Sequence, residues 1–303
     1  MISMFASMAI ASICDIERKT LYMVADIVEE RYVLEEDAIR VAKTIRKQAK
    51  NATAQQNCDP SSQFASNVTD ELRKISGDGH FYLEASADEG EDDWIAEWIS
   101  NGKYNGYGVE RVEILEENIG IVKISTFYDM KTAFDRFEAA FKLVEDTQGL
   151  ILDLRGNGGG SSETEWPLQW TFLEPGTEVP LRLESRFGDV KDLVEPKVPW
   201  LRYGSERPLA ILLDDRSFSA PEAIAFSLQS IGRAVVIGSK SGGGAHMLGT
   251  GIPLSTGFKL HVPEIRPVAS KSGLNWEAVG VTPDIVYQGD DIVKVAIKEL
   301  ITK

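Results

Sequence analysis

Two segments of the sequence place glycine or serine directly after an apolar run. In the first, Asp153-Leu-Arg-Gly-Asn-Gly-Gly-Gly160, four glycines follow a strand-like run, so bare backbone N–H groups can face an anion or a developing oxyanion. In the second, Asp214-Asp-Arg-Ser-Phe-Ser-Ala-Pro-Glu222, a polar turn places Ser219 at the start of a helix, beside free N–H donors and the positive end of the helix dipole. Purely structural roles, a tight turn and an N-cap, stay open for both segments.

A serine nucleophile needs a base, and the sequence has three histidines. His80 lies in Ser76-Gly-Asp-Gly-His-Phe-Tyr82, where a turn enters a strand, and this position favours it. His246 follows a run of glycines and stays open, whereas His261 lies in an alternating strand pattern that is typical of a surface or packing residue. A histidine side chain, with a pKa of about 6.5, can take the serine proton and return it to a leaving amine.

The composition excludes several classes of protein. The 303 residues include 47 acidic and 32 basic side chains, a net charge of −15, which argues against nucleic-acid binding through a basic face. No apolar run approaches the ~20 residues of a membrane-spanning helix, so we expect no integral membrane segment. Two cysteines, Cys14 and Cys58, can form one disulfide or none, which is too few for a disulfide framework or a four-cysteine zinc site.

The N-terminus admits two interpretations. Residues 2–14 are apolar and contain Ala9-Ile10-Ala11, which fits a signal-peptidase site and would place the protein in the periplasm or outside the cell. The segment lacks a basic flank, so the first turns of a helix are an equally open interpretation. From residue 15 to residue 74 apolar side chains recur at a spacing near 3.6, which predicts a small helical domain.

The rest of the chain, residues 75–303, reads as one α/β core. An apolar strand, an amphipathic helix and a second apolar strand follow one another twice, which predicts parallel crossovers. The predicted elements are strands at Ile119–Ile124, 149–154, Leu209–Leu213 and 234–237, helices at 133–144 and 220–231, a hairpin within 248–262, a strand near Ile285 and a helix from about Asp291.

Six segments, in this order, resemble the S41 serine peptidases, the family of C-terminal processing (tail-specific) proteases. They are Glu29-Glu-Arg-Tyr-Val33, Gly77-Asp-Gly-His80, Gly149-Leu-Ile-Leu-Asp-Leu-Arg-Gly-Asn-Gly-Gly159, Ser217-Phe-Ser-Ala-Pro-Glu222, Gly232-Arg-Ala-Val-Val-Ile-Gly238 with Gly243-Gly244, and Asn275-Trp-Glu-Ala-Val-Gly-Val-Thr-Pro-Asp284. The match is nearer to the tricorn-like and interphotoreceptor-retinoid-binding-protein-like branch. It implies a ClpP/crotonase-like α/β core after a helical N-terminal domain. The segment after His80 is too short for the PDZ domain of many members.

The resemblance also implies the site residues. The nucleophile falls on Ser219, the base on His80 and the carboxylate that orients the base on Glu277, with oxyanion N–H donors at Ala220 and at Gly158 or Gly159. It implies an acyl-enzyme released by water, no metal or cofactor, and a peptide or protein substrate. The processing-protease branch uses a lysine base instead; that position aligns with Gly244 here, and Lys240 lies four residues earlier.

Two other functions share this fold. Part of the branch binds hydrophobic, retinoid- or lipid-like ligands without catalysis, and a crotonase-like thioester enzyme would not need Ser219. The complete set of Ser219, His80 and Glu277 favours the peptidase. Trp166, Trp170 and Trp200 either line an apolar pocket or pack in the core. The family includes monomers and closed rings, so the oligomeric state stays open.

Overall fold

The computed structural model describes residues 12–54, 62–85, 97–189 and 193–302. The chain forms two compact units, which are described separately. The first contains Met1–Gly90, Glu184–Val190 and His246–Arg266, and the second contains Glu91–Leu183, Lys191–Ala245 and Pro267–Lys303. The family-based boundary, with a helical domain at residues 15–74 and a core at 75–303, stays a prediction. Most of the predicted export segment, residues 1–14, lies outside the described residues.

Helices and strands alternate along most of the chain. The helices are α1 Asp15–Arg31, α2 Glu35–Asn51, α3 Ser62–Ser76, α4 Met130–Leu143, α5 Ser162–Trp170, α6 Ala220–Ser230 and α7 Ile292–Ile301. The strands are β1 Ser12–Ile13, β2 Thr53–Ala54, β3 Tyr82–Ala85, β4 Val109–Ile114, β5 Ile119–Ile124, β6 Gly149–Asp153, β7 Leu181–Ser185, β8 Gly188–Asp189, β9 Leu209–Leu213, β10 Val235–Gly238, β11 Met247–Leu248, β12 Ile252–Leu254, β13 Phe258–His261, β14 Pro263–Ala269 and β15 Ile285–Val286.

The first unit is built on α1, α2 and α3, as the periodicity of residues 15–74 predicts. Their apolar stripes meet in one core, which includes Leu21, Val41 and Leu72. The predicted hairpin within 248–262 is confirmed as β12 and β13, and β3 joins it as a third antiparallel strand, with His261 opposite Tyr82. The strand β3 follows His80 almost directly, so the sheet fixes the chain on the C-terminal side of this histidine.

The second unit is built on a six-stranded sheet with the order β15-β10-β9-β6-β5-β4. All neighbouring strands are parallel except β4 and β5. Every residue of β6 and β9 is buried, which explains their continuous apolar runs, since helices cover both faces of such a sheet. The mixed α/β fold with a helical N-terminal region is confirmed.

Three loops follow adjacent strands of this sheet at the same edge. The strand β9 lies between β6 and β10, with Leu212 opposite Asp153 and Leu213 opposite Gly238. The glycine-rich loop after β6, the Ser219 turn after β9 and the loop after β10 therefore emerge together. In parallel sheets, ligand sites form at the carboxyl ends of the strands.

The tryptophans pack in the core of the second unit. Trp170 and Trp200 are buried, and Trp200 stacks on Phe137 with ring centroids 4.8 Å apart. Trp200 also donates a hydrogen bond from Nε1 to Thr171 Oγ1 at 2.7 Å. Trp166 is partly buried against the same core. These contacts favour the packing interpretation over a pocket lining.

Two further observations concern the cysteines and the membrane. Cys14 takes part in a disulfide, and the second cysteine of the sequence, Cys58, lies outside the described residues. Within the described part of the chain, no helix combines the length and apolar character that crossing a bilayer requires.

Helix α5 carries a buried carboxyl group. Glu165 is 7% exposed and accepts a hydrogen bond from Gln169 on the next turn. Burial raises the pKa of Glu165 from 4.5 to about 7, and the hydrogen bond from Gln169 offsets only part of that rise. Between these two values the folded protein holds a proton that the unfolded chain has lost. The free energy of unfolding therefore falls as the pH rises through this window, by up to about 1.4 kcal/mol per pH unit.

Replacing this carboxyl by an amide should remove the pH dependence. We expect Glu165→Gln to gain about 2–3 kcal/mol in unfolding free energy relative to the wild type between pH 5 and pH 8, because the wild type must bury a charge at the higher pH. Urea unfolding at several pH values measures the difference. The matched control is Glu138→Gln, which removes an exposed carboxylate from α4 and should follow the wild-type curve. Parallel curves for all three proteins would contradict the prediction.

Candidate active site

Ser219 has a strained backbone at the turn from β9 to α6. Its φ of +69° and ψ of −116° lie in a region that non-glycine residues rarely adopt, at a cost of about 1–3 kcal/mol. Its carbonyl oxygen already accepts helical hydrogen bonds from the N–H groups of Glu222 at 2.9 Å and Ala223 at 3.1 Å. Ser219 is also the N-cap of α6 and forms a capping box with Glu222, so the strain is a separate feature that favours a functional role in addition to the capping role.

Glu222, in the first turn of α6, anchors the turn of Ser219 to the loop after β10. This fully buried carboxylate accepts hydrogen bonds on Oε2 from Ser219 N at 2.7 Å and Gly244 N at 2.8 Å. Its Oε1 accepts from Ser241 Oγ at 2.6 Å and Gly243 N at 2.7 Å. Burial raises the pKa of Glu222, and the four hydrogen bonds offset part of that rise. Since all four partners are donors, this geometry satisfies the ionised carboxylate.

Glu277 holds the opposite side of the same loop. Its Oε2 accepts a hydrogen bond from Ala245 N at 2.7 Å, and the indole of the buried Trp276 donates to Gly244 O at 3.1 Å. The backbone N–H of Ala278 adds a third bond to this loop, at 2.8 Å from Gly243 O. Ser219 and Glu277 therefore lie on one hydrogen-bonded frame in the second unit, linked through the loop that Glu222 anchors.

Ser217 joins all three loops at the sheet edge. Its hydroxyl donates to Leu154 O at 2.9 Å, after β6, and its carbonyl accepts from Gly242 N at 2.9 Å, after β10. The residue is completely buried, so these bonds are shielded from water. The turn that carries Ser219 is consequently held from both sides.

The glycine-rich loop after β6 lies directly beside Ser219. A side chain added at Gly159 would place its Cβ 3.0 Å from Ser219 Cβ, and Phe218 N donates to Asn157 O at 2.9 Å. The N–H of Gly159 itself donates to Asn157 Oδ1 at 2.8 Å. Of the two glycines predicted to bind an oxyanion, the exposed Gly158 is therefore the better candidate.

Gly160 fixes the far end of this loop. It has a φ of +137°, and a Cβ at this position would lie 2.1 Å from Phe127 O. The backbone of Phe127 pairs with the loop on both sides, accepting from Ser161 N at 2.8 Å and donating to Gly159 O at 3.0 Å. Only glycine fits this close approach, which the sequence showed merely as one more glycine in a run.

His80 lies in the first unit, beside a buried carboxylate. Asp78 Oδ1 accepts a hydrogen bond from the backbone N–H of His80 at 2.9 Å and lies 3.6 Å from its ring Nδ1. Asp78 Oδ2 contacts His246 Nδ1 at 2.6 Å and accepts from Tyr32 OH at 3.2 Å. Burial alone would raise the pKa of Asp78, but the hydrogen bonds from His246 and His80 outweigh it and hold this pKa well below its usual range.

Sequence reasoning singled out His80 and missed Asp78, although the spacing of two residues in Gly77-Asp-Gly-His80 was a usable signal. It left His246 open, and the structure pairs this histidine with Asp78. His261 contacts Glu84 Oε1 through Nε2 at 3.0 Å, on neighbouring strands, as expected for a packing residue. Lys240, the nearest lysine to the position of a lysine base, is exposed.

A comparison with known protein families bears on this geometry. The model of peptidase family S41 matches residues 118–287, which is more than half of the chain. The chain belongs to peptidase family S41. The match includes Ser219, Glu277 and both glycine-rich loops. Among curated relatives, the carboxy-terminal-processing protease of Bartonella bacilliformis is 28% identical over 188 residues, which cover 57% of this chain and 40% of that protein.

Solved structures show the same fold at low sequence identity. A lipoprotein from Streptococcus agalactiae matches with a TM-score of 0.64 and 17% identity, covering 94% of this chain and 96% of the other. The photosystem II D1 C-terminal processing protease matches with a TM-score of 0.56 and 14% identity, covering 93% and 97%. The fold similarity therefore covers nearly the whole chain, including residues outside the stretch that the family model matches.

Proposed function

We propose that the protein is a serine peptidase that hydrolyses peptide bonds, in peptides or in the C-terminal regions of proteins. The observation that carries this proposal is the strained Ser219 at the start of α6, with the loop of Gly158 and Gly159 beside it. Membership of family S41 supports it, because the motif resemblance implies that the family's nucleophile falls on Ser219 and the matched residues 118–287 include this serine.

In the proposed reaction, Ser219 Oγ attacks the scissile carbonyl carbon while His80 takes the hydroxyl proton. The N–H groups of Ala220 and Gly158 bind the oxyanion of the tetrahedral intermediate. When this intermediate collapses, the C–N bond breaks and His80 gives its proton to the leaving amine. Water, deprotonated by His80, then hydrolyses the ester and restores Ser219. Glu277 orients the imidazole and stabilises its charged form. Grouping His80 with Ser219 and Glu277 rests on the family's motifs.

The proposal is tested by intact mass after incubation with a fluorophosphonate. We expect one adduct on the wild type and none on Ser219→Ala, because only an activated serine attacks this reagent readily. Ser230→Ala, at the other end of α6, is the matched control and should be labelled like the wild type. The unlabelled wild type should also generate new C-termini in a peptide mixture, and labelling of Ser219 should abolish this cleavage.

Two outcomes would contradict the proposal. An adduct that persists on Ser219→Ala would place the reactive group elsewhere. A folded wild type that takes up no adduct and cleaves no peptide would contradict the peptidase hypothesis. The hypothesis of a hydrophobic-ligand binding module would then remain, and solvent extraction of the purified protein would test it.

A further inference from the structure

Asp78 is the shared partner of two histidines in the first unit. Its side chain is 1% exposed and that of His246 is 2% exposed, with 2.6 Å between Asp78 Oδ2 and His246 Nδ1. Its other oxygen accepts the His80 backbone N–H and lies 3.6 Å from His80 Nδ1. One carboxylate thus faces a fully buried imidazole on one side and a nearly buried one on the other.

Aromatic packing holds the members of this cluster in place. The Tyr32 ring lies against Phe81, with centroids 4.8 Å apart, and edge-on to His246 at 6.1 Å. The Tyr32 hydroxyl donates to the same Asp78 oxygen as His246. On the other side, Arg73 of α3 donates from Nε to Phe81 O at 2.9 Å, which fixes the backbone next to His80. The groups have little freedom to rearrange.

Stability alone is a poor explanation for this arrangement. Burying a charged carboxylate with imidazoles requires a desolvation free energy that the pairing roughly offsets, and apolar side chains of similar volume often stabilise a core as well or better. A carboxylate beside the ring nitrogen of a histidine does have a distinct chemical consequence. It keeps the proton on that nitrogen, leaves the other nitrogen as the acceptor, and stabilises the ring once it is charged.

We propose that Asp78 and His246 are positioning residues for His80, acting together with Glu277. His246 Nδ1–H and Tyr32 OH donate to Asp78 Oδ2, which keeps the carboxylate ionised and turns Oδ1 towards His80. Asp78 then helps to hold the His80 proton on Nδ1, the role that the proposed mechanism also gives to Glu277, and Nε2 is left to accept the serine proton. The 3.6 Å separation is long for a hydrogen bond, and it shortens when His80 becomes charged during the reaction. This inference rests on the proposed function, in which His80 is the base.

The experiment compares kcat and KM of the 303-residue chain on a cleaved peptide. We expect Asp78→Asn to lower kcat about 100-fold with little change in KM, because an asparagine amide facing Nδ1 favours the wrong tautomer. His246→Leu should lower kcat about 10-fold, whereas His246→Asn, which keeps an N–H donor near the position of Nδ1, should recover most of it. The matched control is His261→Leu, which breaks the imidazole–carboxylate pair of His261 and Glu84 and should stay within about twofold of the wild type.

Nitrogen-15 NMR of the histidine rings measures which ring nitrogen of His80 carries the proton. A purely structural role of Asp78 would leave this tautomer unchanged. We expect His80 to carry its proton on Nδ1 in the wild type and in His246→Asn, and to lose that preference in Asp78→Asn. Thermal unfolding verifies that each variant is folded. If Asp78→Asn fails to fold, the contrast between His246→Leu and His246→Asn carries the test.

The outcomes separate this inference from the proposed function. If the fluorophosphonate labels Ser219 and His80→Ala is inactive, but Asp78→Asn and His246→Leu keep the wild-type kcat and the His80 tautomer, only the positioning role is overturned. If the two His246 variants lose kcat equally, the hydrogen bond from His246 is not what matters, and the role of His246 is overturned. If His80→Ala keeps full activity, the proposed base itself is wrong.

Discussion

Replacing His80 with alanine should lower kcat about 10⁴- to 10⁶-fold, as expected for the loss of the base in a serine triad, while KM changes little. The reason is that no other group would then take the proton of Ser219 as the tetrahedral intermediate forms. Steady-state hydrolysis of a peptide that the wild type cleaves in the peptide mixture measures the effect. The rate of fluorophosphonate labelling should fall in parallel, because it depends on the same activated serine.

The matched control is Lys240→Ala, which we expect to keep kcat within about threefold of the wild type. Lys240 is exposed, after β10, and the position of the family's lysine base aligns with Gly244 instead. In the loop after β10, positions 242, 243 and 244 are all glycine, so none of them supplies a lysine side chain. Activity that survives His80→Ala and disappears in Lys240→Ala would place this chain with the lysine-dependent members of its family.

The central strands of the second unit could be predicted from the sequence, because a strand that is buried on both faces has a continuous run of apolar residues. The strands β6 and β9 are uninterrupted apolar runs, and the helix within each crossover, α4 or α6, has a helical period of its own. Ser219 was readable for a similar local reason, since strand, polar turn and Pro-Glu in the first helical turn stand next to one another in the chain.

Contacts between distant residues were not readable. The Asp78–His246 contact joins residues 168 positions apart, and neither segment shows the partner that it will meet. Glu222 resembled an ordinary acidic residue in a first helical turn, because its three loop partners at Ser241, Gly243 and Gly244 follow only from the parallel pairing of β9 and β10. The strain at Ser219 is likewise a property of its φ, which residue type alone does not reveal for a serine.

Glu222→Ala should lower the free energy of unfolding by about 3–5 kcal/mol, because it leaves four donors without their acceptor in a fully buried place. Those donors are the Ser219, Gly243 and Gly244 N–H groups and the Ser241 hydroxyl. The start of α6 also loses an anion that favours its positive end. Urea unfolding at 25 °C measures the change.

Glu222→Gln tests whether Glu222 acts through its hydrogen bonds or only through its packing. Glutamine keeps the side-chain volume and one of the two oxygens that accept hydrogen bonds. Its NH₂ group must face two donors, either those at Ser219 and Gly244 or those at Ser241 and Gly243, so we expect a loss of about 2–4 kcal/mol. The Ser219 backbone and the loop after β10, which contacts Glu277, then lose the carboxylate that holds both of them. A folded Glu222→Gln should therefore also react more slowly with the fluorophosphonate.

The matched control for this pair is Glu163→Gln, on α5. Glu163 also accepts a backbone hydrogen bond, from Met130 N at 3.1 Å, but it does so in an exposed place, where water replaces the lost acceptor. Its loss should stay below about 1 kcal/mol. If Glu222→Gln were as stable as Glu163→Gln and labelled at the wild-type rate, the carboxylate would not be what holds the turn of Ser219, and the strain at that serine would have to be maintained by Ser217 and the surrounding backbone bonds alone.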